Sequence, residues 1–205
     1  MKKIGLLSDT HGYLDPKIKS YFADVDEIWH AGDIGSIDVL DELKAFKPTR
    51  AVWGNIDNHE LRQECSEFLR FKIEGVEVVI THIGGKPERY SKPAFEELQK
   101  NGAPALFVCG HSHITLVKMD QRFNMLWMNP GACGYKGFHK VKTLLRFSIT
   151  DDNIHDAVEL WCGPGNFEAQ LVYGNISDWD VSNVTNMLYL FSEAQDFNDD
   201  ISDWD

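Results

Sequence analysis

Five short segments of the sequence place side chains that bind metal ions directly after apolar runs. Glycine flanks most of these segments, which read SDTHG, AGD, GN, ITH and GHSH. Taken singly, such residues are usually turn, capping or structural residues. Together they predict a centre of nitrogen and oxygen ligands for two divalent cations. The seven candidate ligands are Asp9, His11, Asp33, Asn55, His82, His111 and His113.

The spacing within two of these segments gives a reason for pairing the side chains. One residue separates Asp9 from His11, and one residue separates His111 from His113. In extended backbone, side chains two residues apart lie on the same face of a strand. We therefore expect each pair to point in one direction from an extended segment.

The chain between these segments predicts alternating strands and helices. Helical patterns cover 14–22, 36–46 and 93–100, with Ser36 as an N-cap and Asn101-Gly102 as a helix end. Strands are predicted at KKIGLLSD, EIWHAGD, TRAVWGN, ALFVCGHSH and NMLWMNPG, and hairpins at FLRFKIEGVEVVITH and TLLRFSITDDNIHDAVELW. This order favours an α/β fold with sheet between helices. Parallel strands would bring all five donor segments to one edge of the sheet, where such folds bind ligands.

Composition and charge exclude several classes of partner. The net charge is −12, and nine of the 32 acidic residues lie in 163–205, which has no Lys or Arg. Neither part of the chain offers a basic stripe, so a long nucleic acid is not expected as a partner. The apolar runs are too short to span a membrane, and the N-terminus is too short for a signal peptide. Scattered cysteines without CxxC spacing predict reduced thiols and a cytoplasmic protein.

The order of the five segments resembles that of the calcineurin-like metallophosphoesterase superfamily. The resemblance covers residues 1 to about 160 and is highly specific, because it depends on five segments in one order. Asn55 is followed by Ile56 rather than by histidine, and an NPGACG segment comes later. These two features are similar to the small YfcE-type phosphodiesterases of bacteria and archaea. The resemblance implies a four-layer αββα sandwich over 1–162.

The resemblance also implies how the candidate ligands would be used. Asp33 would bridge two metal ions and hold a bridging hydroxide that attacks phosphorus. Mn²⁺ is the preferred expectation, and Fe, Zn²⁺, Ni²⁺ and Mg²⁺ occur in the wider superfamily; a donor set without thiolate fits Mn²⁺ or Fe and does not exclude Zn²⁺. The first ion would be held by Asp9, His11, Asp33 and His113, and the second by Asp33, Asn55, His82 and His111.

Several neighbouring residues carry narrower expectations. Asp57 would orient an adjacent ligand rather than bind metal. His59 is a candidate acid for the leaving group, with a solvated loop histidine as the alternative. Gly84 stands where relatives often have a second histidine, which is expected to open the site. His139 is expected at the surface.

The C-terminal segment differs in character from the rest of the chain. Residues 163–175 read as a linker, and ISDWD occurs at 176–180 and again at 201–205. The 25-residue shift is typical of a solenoid, and the segment 176–205 resembles BspA-like leucine-rich-type repeats. It holds one full repeat and the start of a second, whereas a stable array needs about three. A truncated array, a segment docked on the first domain and a fused segment all stay open.

The sequence as a whole predicts metal-dependent hydrolysis of small phosphodiesters. A phosphomonoesterase uses the same metals and is one alternative. A Vps29-like scaffold that binds proteins without catalysis is the other, but a scaffold could lose ligands, and here all seven positions carry donors. No membrane partner is expected. Homo-oligomerisation and protein contacts made by the tail are left open.

Overall fold

The computed structural model describes residues 2–149, which form eleven strands and four helices. The helices are α1 (Lys17–Tyr21), α2 (Ile37–Phe46), α3 (His59–Glu64) and α4 (Lys92–Asn101). The strands are β1 (Lys2–Leu7), β2 (Glu27–His30), β3 (Thr49–Ala51), β4 (Phe68–Ile73), β5 (Val76–Thr81), β6 (Gly85–Lys86), β7 (Arg89–Tyr90), β8 (Leu106–Val108), β9 (Thr115–Asp120), β10 (Met125–Pro130) and β11 (Leu145–Ile149).

The larger strands form two sheets rather than one. The first has the order β11-β1-β2-β3, with β1, β2 and β3 parallel and β11 antiparallel to β1. The second has the order β4-β5-β8-β10-β9, with β5, β8 and β10 parallel. The strands that precede the donor segments are therefore divided, three in the first sheet and two in the second. The expectation of a single sheet edge is wrong in this respect.

Apolar residues on alternate positions of the strands fill three layers. Ile4 and Trp29 from the first sheet pack with Ile80 and Val108 from the second, in the space between the sheets. Neighbours along the same strands point the other way, because side chains alternate across a strand. Leu7 packs with α1, α2 and α3 on the first sheet; the residues from the second sheet that pack with α4 include Val79 and Phe107. The order helix, sheet, sheet, helix confirms the predicted αββα sandwich.

Local sequence signals explain where the helices begin and end. The Ser36 side chain accepts a hydrogen bond from the N–H of Asp38, as expected for an N-cap. The predicted end of α4 at Gly102 is observed as well, with a φ of 82°. Helix α3 was not predicted, although Asn58 caps it by accepting from the N–H of Leu61. Six residues are too few for a helical pattern to be recognised.

The C-terminal predictions lie outside the described residues. Strand β11 is the first strand of the predicted terminal hairpin and pairs with β1. Its predicted partner strand, the linker at 163–175 and the repeat segment at 176–205 are not described. Within residues 2–149, no helix combines the length and apolar character needed to cross a membrane.

Candidate metal centre

The donor segments lie immediately after the carboxyl ends of five strands from both sheets. They follow β1, β2 and β3 in the first sheet and β5 and β8 in the second. Within each sheet, hydrogen bonds join neighbouring loops: the N–H of Gly110 donates to the carbonyl of His82 in the second sheet, and the N–H of Asp9 donates to the carbonyl of Gly32 in the first. Between the sheets, the loop N–H of His111 donates to Asp9 Oδ2 at 3.2 Å. Two sheets are therefore held together at the candidate site by contacts between their loops.

The paired donors do not lie on extended backbone, contrary to the expectation from their spacing. Five candidate ligands have left-handed backbone with positive φ, which costs a residue with a side chain roughly 1–2 kcal/mol. The turn lets the N–H of His11 reach the carbonyl of Asp33 at 3.0 Å. Backbone of this kind concentrates at functional sites, where the surrounding structure compensates for it. The φ values are 57° for Asp9, 51° for His11, 54° for Asp33, 69° for His111 and 58° for His113.

Five of the seven candidate ligands form two groups of closely spaced donor atoms. One group consists of Asp9, His11 and His113, and the other of Asp9, Asp33 and His82, with all donor atoms in a group within 4.8 Å. His113 Nε2 lies 3.1 Å from Asp9 Oδ1, and His82 Nε2 lies 3.2 Å from Asp33 Oδ1. His11 Nε2 and His82 Nε2 both lie 3.9 Å from Asp9 Oδ1. Asp9 is thus the carboxylate common to both groups.

These donor atoms fit divalent metal ions. Asp9 Oδ1, His11 Nε2 and His82 Nε2 are buried, and within the described residues none forms a hydrogen bond of normal geometry. Leaving buried polar atoms unpaired is costly unless a further ligand completes them. Two donors each about 2.1 Å from one ion would lie roughly 3.0–3.4 Å apart at tetrahedral or octahedral angles. The two shortest donor distances fall in this range.

The buried pair of Asp33 and His82 is electrostatically coupled. Burial alone would raise the pKa of Asp33, but the neighbouring His82 outweighs it, and the pKa lies below its usual value. Burial would lower the pKa of His82, but Asp33 and Asp9 outweigh it and raise that pKa. Asp33 Oδ1 also accepts from the N–H of Ile56 at 3.1 Å. The Asp33 carboxylate is therefore ionised at neutral pH, as a metal ligand must be.

A backbone carbonyl orients His82, and burial keeps two other histidines neutral. His82 Nδ1 lies 2.8 Å from the carbonyl oxygen of Ala31, which can only accept. The proton of a neutral His82 is then on Nδ1, so Nε2 is free to bind a metal. Partial burial lowers the pKa of His11, and partial loss of solvent around the ring together with the neighbouring His82 lowers the pKa of His111. Neutral imidazole is the form that ligates metals.

Asp57 connects the loops after β2 and β3. Its carboxylate accepts from the N–H groups of Ile34 at 3.1 Å, Gly35 at 2.6 Å and Gly54 at 2.8 Å. Hydrogen bonds to an ionised group are about twice as strong as neutral ones. Asp57 is itself buried, and neither group of donor atoms includes it. These contacts hold the loop backbone beside Asp33.

Asn55, His111 and His59 are exposed and belong to neither group. The ring of His111 meets that of His82 edge to face, with centroids 5.2 Å apart. Arg62 steadies the Asn55 loop, because its guanidinium donates to the carbonyls of Asp57 at 2.8 Å and Asn55 at 3.3 Å. His59 is the first residue of α3 and is exposed. The structure thus places His111 against the buried group and Asn55 next to the residue that contacts Asp33, and it gives His59 no contact with either group within the described residues.

Gly84 and His139 make contacts that the sequence did not indicate. A Cβ on Gly84 would lie 2.7 Å from Cys109 Cβ and 2.8 Å from Phe107, so a side chain there would clash with the second sheet. Glycine therefore serves packing here, and the expectation that it opens the site stays a prediction. His139 is not a free surface residue: its Nδ1 lies 3.2 Å from His113 Nδ1. No local pattern signals this contact, because the two histidines are 26 residues apart.

The family model of the calcineurin-like phosphoesterase superfamily domain matches residues 1–152. The chain belongs to this superfamily. A second family model, described as a Mycoplasma protein of unknown function, DUF285, matches residues 152–205. The chain is therefore a calcineurin-like phosphoesterase domain followed by a segment of a second family, as the resemblances implied. The domain boundary near 162 stays a prediction.

Curated relatives of this phosphoesterase are named as metallophosphoesterases. A probable metallophosphoesterase of Methanothermobacter thermautotrophicus is 31% identical over 137 residues, covering 63% of this chain and 76% of the relative. A probable metallophosphoesterase of Mycoplasma pneumoniae is 28% identical over 163 residues, covering 76% of this chain and 95% of the relative. These names support a metal-dependent phosphoesterase.

Solved structures share the fold of this phosphoesterase domain. A novel archaeal phosphodiesterase matches with a TM-score of 0.54 and 24% identity, covering 72% of this chain and 99% of that one. Escherichia coli YfcE, a phosphoesterase, matches with a TM-score of 0.53 and 20% identity, covering 71% and 88%. Vps29 of Entamoeba histolytica, crystallised with zinc, matches with a TM-score of 0.56 and 17% identity, covering 72% and 86%. At these identities the likeness establishes the fold alone.

Proposed function

We propose that this protein hydrolyses small phosphodiesters at a centre of two divalent metal ions, with Mn²⁺ as the preferred metal. The observation that carries the proposal is the pair of donor groups with three buried, unpaired donor atoms. The buried group would hold one ion, and the group of His11 and His113 would hold the other. We place Asn55 and His111 at the ion of the buried group, where they approach from the exposed side.

The chain's own residues position and charge the site. Bound divalent cations would lower the pKa of water and neutralise charge that develops on the phosphoryl oxygens. Asp33 would be shared between the ions, and the side-chain amide of Asn55 would donate to a phosphoryl oxygen. Asp57 would keep Asp33 in place through the loop backbone that it binds. Hydrolysis would therefore require the Asp33 carboxylate in its ionised form.

The leaving group would be protonated by water or by His59. Ile56 stands where many members of the superfamily have a histidine, and its side chain is exposed. A diester with a good leaving group does not need an acid at this position. His59 is four residues from Asn55 and exposed to solvent, which permits access to a substrate oxygen.

The test compares bis-p-nitrophenyl phosphate with p-nitrophenyl phosphate as substrates for metal-stripped protein, with and without added Mn²⁺. We expect Mn²⁺-dependent cleavage of the diester that is lost in Asp33→Asn. Asp41→Asn is the matched control, because it makes the same chemical change at an exposed residue of α2. Faster cleavage of the monoester would make the protein a phosphomonoesterase.

Failure to cut either ester while Mn²⁺ binds would remove the main support for a hydrolase. A scaffold that binds proteins would then be the reading to pursue, since Vps29 has the same fold. The proposed location is cytoplasmic, with a small phosphodiester as the partner molecule and no long nucleic acid. We assign no role to the C-terminal segment in catalysis.

A further inference from the structure

We infer that His139 is a positioning residue that holds the imidazole of His113 in the tautomer able to bind a metal. The inference rests on the proposed role of His113 as a ligand. His139 lies in the loop between β10 and β11 and is partly buried. Neither the resemblance nor the spacing of the donor segments drew attention to it.

The two rings belong to a chain of hydrogen-bonding contacts that ends on a backbone carbonyl. His113 Nδ1 lies 3.2 Å from His139 Nδ1, and His139 Nε2 lies 3.0 Å from the carbonyl oxygen of Gly134. The N–H of Gly134 in turn donates to the carbonyl of Asp9 at 3.1 Å. His113 Nε2 lies 3.1 Å from Asp9 Oδ1. The contacts therefore close a ring that links Asp9 to His113 through the loop of His139.

The direction of each hydrogen bond follows from the carbonyl at the end of the chain. A carbonyl oxygen only accepts, so His139 Nε2 carries the proton of a neutral ring. His139 Nδ1 is then bare and accepts from an Nδ1–H of His113. This leaves the lone pair of His113 Nε2 free, and Nε2 is the atom that faces Asp9. Metal-binding histidines commonly donate their second ring N–H to a group that fixes the tautomer.

Space for this contact depends on Gly137. Its φ is +127°, and a Cβ on it would overlap the His113 ring and lie 3.0 Å from His139 Nδ1. Any side chain at this position would therefore push into the hydrogen bond between the rings. The loop is thus shaped to let the two imidazoles meet.

The first measurement is the tautomer of His113 in the metal-free, ¹⁵N-labelled full chain. Long-range ¹H–¹⁵N NMR spectra distinguish a protonated Nδ1 from a protonated Nε2, and His113→Gln assigns the signals. We expect the Nδ1–H form in the wild type and a shift toward Nε2–H in His139→Ala. His139→Asn should keep the Nδ1–H form, because the side-chain oxygen of asparagine can accept at the place of Nδ1. This readout does not depend on hydrolysis.

The second measurement is Mn²⁺ affinity, taken from the electron paramagnetic resonance signal of free Mn²⁺. One bound ion should weaken by about 10–100-fold in His139→Ala, the usual cost of removing a group that orients a ligand. His139→Asn should retain most of the affinity. Lys140→Ala is the control for the loop, because Lys140 is the exposed neighbour of His139. It should leave both the tautomer and the affinity unchanged.

Two results would overturn the inference. One is a His139→Ala protein that keeps the Nδ1–H form of His113 and wild-type Mn²⁺ affinity. The other is a loss of affinity in His139→Asn that equals the loss in His139→Ala and is restored by His139→Phe, since phenylalanine keeps ring packing without an acceptor. The expected tautomer and Mn²⁺ results in a protein that cuts neither ester would support His139 while removing the proposed function.

Discussion

The two groups of donor atoms share Asp9 but are built in different ways. Asp33 and His82 are almost fully buried, and a carboxylate, a carbonyl and loop N–H groups fix them. His11 and His113 are partly exposed, and His113 is fixed by His139 on a loop. The side chains of the buried group are therefore positioned by the strand ends and the loops that directly follow them. The second group needs a residue from elsewhere in the chain to hold its ligand.

Substituting the carboxylates should have the largest effect on metal content and activity, and it tests which carboxylate the two ions share. Asp33→Asn should lose both metal ions and reduce diester cleavage on the order of 10³-fold, because a negatively charged shared ligand is removed. Asp9→Asn should lose one ion, since Asp9 is the only carboxylate in the group of His11 and His113, whereas the buried group keeps Asp33. Metal content after gel filtration, with Asp41→Asn as the control, measures both. Loss of both ions in Asp9→Asn alone would make Asp9 the shared ligand instead.

The next prediction compares the loss of stability when one histidine of each group is replaced in metal-free protein. His82→Ala should lower the free energy of unfolding by about 3 kcal/mol, because it removes the histidine that compensates the buried Asp33 carboxylate and one of the two donors to the buried Ala31 carbonyl. His11→Ala should cost less than about 1 kcal/mol, because its Nε2 has no hydrogen bond to lose within the described residues. Urea unfolding in the presence of a chelator gives both values. Equal losses of stability in the two variants would contradict the view that the two groups are held in place in different ways.

A third prediction concerns how stability depends on pH through the buried His30, whose ring contacts the loops after β1 and β2. Burial lowers the pKa of His30 to about 3, whereas an unfolded histidine has a pKa of about 6.5. The unfolded chain therefore binds a proton that the folded protein refuses, so stability falls as the pH drops below about 6.5. Between pH 7 and pH 5 this residue should remove about 2 kcal/mol. His30→Gln should be less sensitive to pH over that range by this amount in urea unfolding.

The control for this prediction is a histidine that is exposed. His59→Gln makes the same substitution at an exposed residue and is the matched control. The comparison is made in chelator, so that metal binding does not contribute. A slope that is the same in His30→Gln and in the wild type would show that His30 is not the source of the acid sensitivity.

The smallest effect is expected from removing residues 163–205. Both donor groups and all their hydrogen-bond partners named above lie within residues 2–149. A chain ending at 162 should therefore fold and retain diester cleavage within about twofold of the full chain. Circular dichroism and the same assay test this. A large loss of activity with the fold intact would give the C-terminal segment a role at the site.

Chemical type predicted more of the site than geometry did. Apolar runs locate the strands, and the donors that follow them identify Asp9, Asp33 and His82, because carboxylates and imidazoles after buried strands are unusual in combination. The left-handed backbone was not predictable from residue types that rarely adopt it. The contact between His113 and His139 was missed since it depends on how a distant loop lies. Spacing along the chain contains no information about such a contact.

The bond between the N–H of His111 and Asp9 has a consequence for folding. These residues are 102 positions apart, and they belong to loops of different sheets. Closing so long a loop costs conformational entropy, so contacts of such long range form slowly during folding. Partly folded chains with one completed sheet would lack the ligand groups and would bind metal weakly. A metal ion would thus bind tightly only to the completed sandwich and would stabilise it relative to partly folded chains.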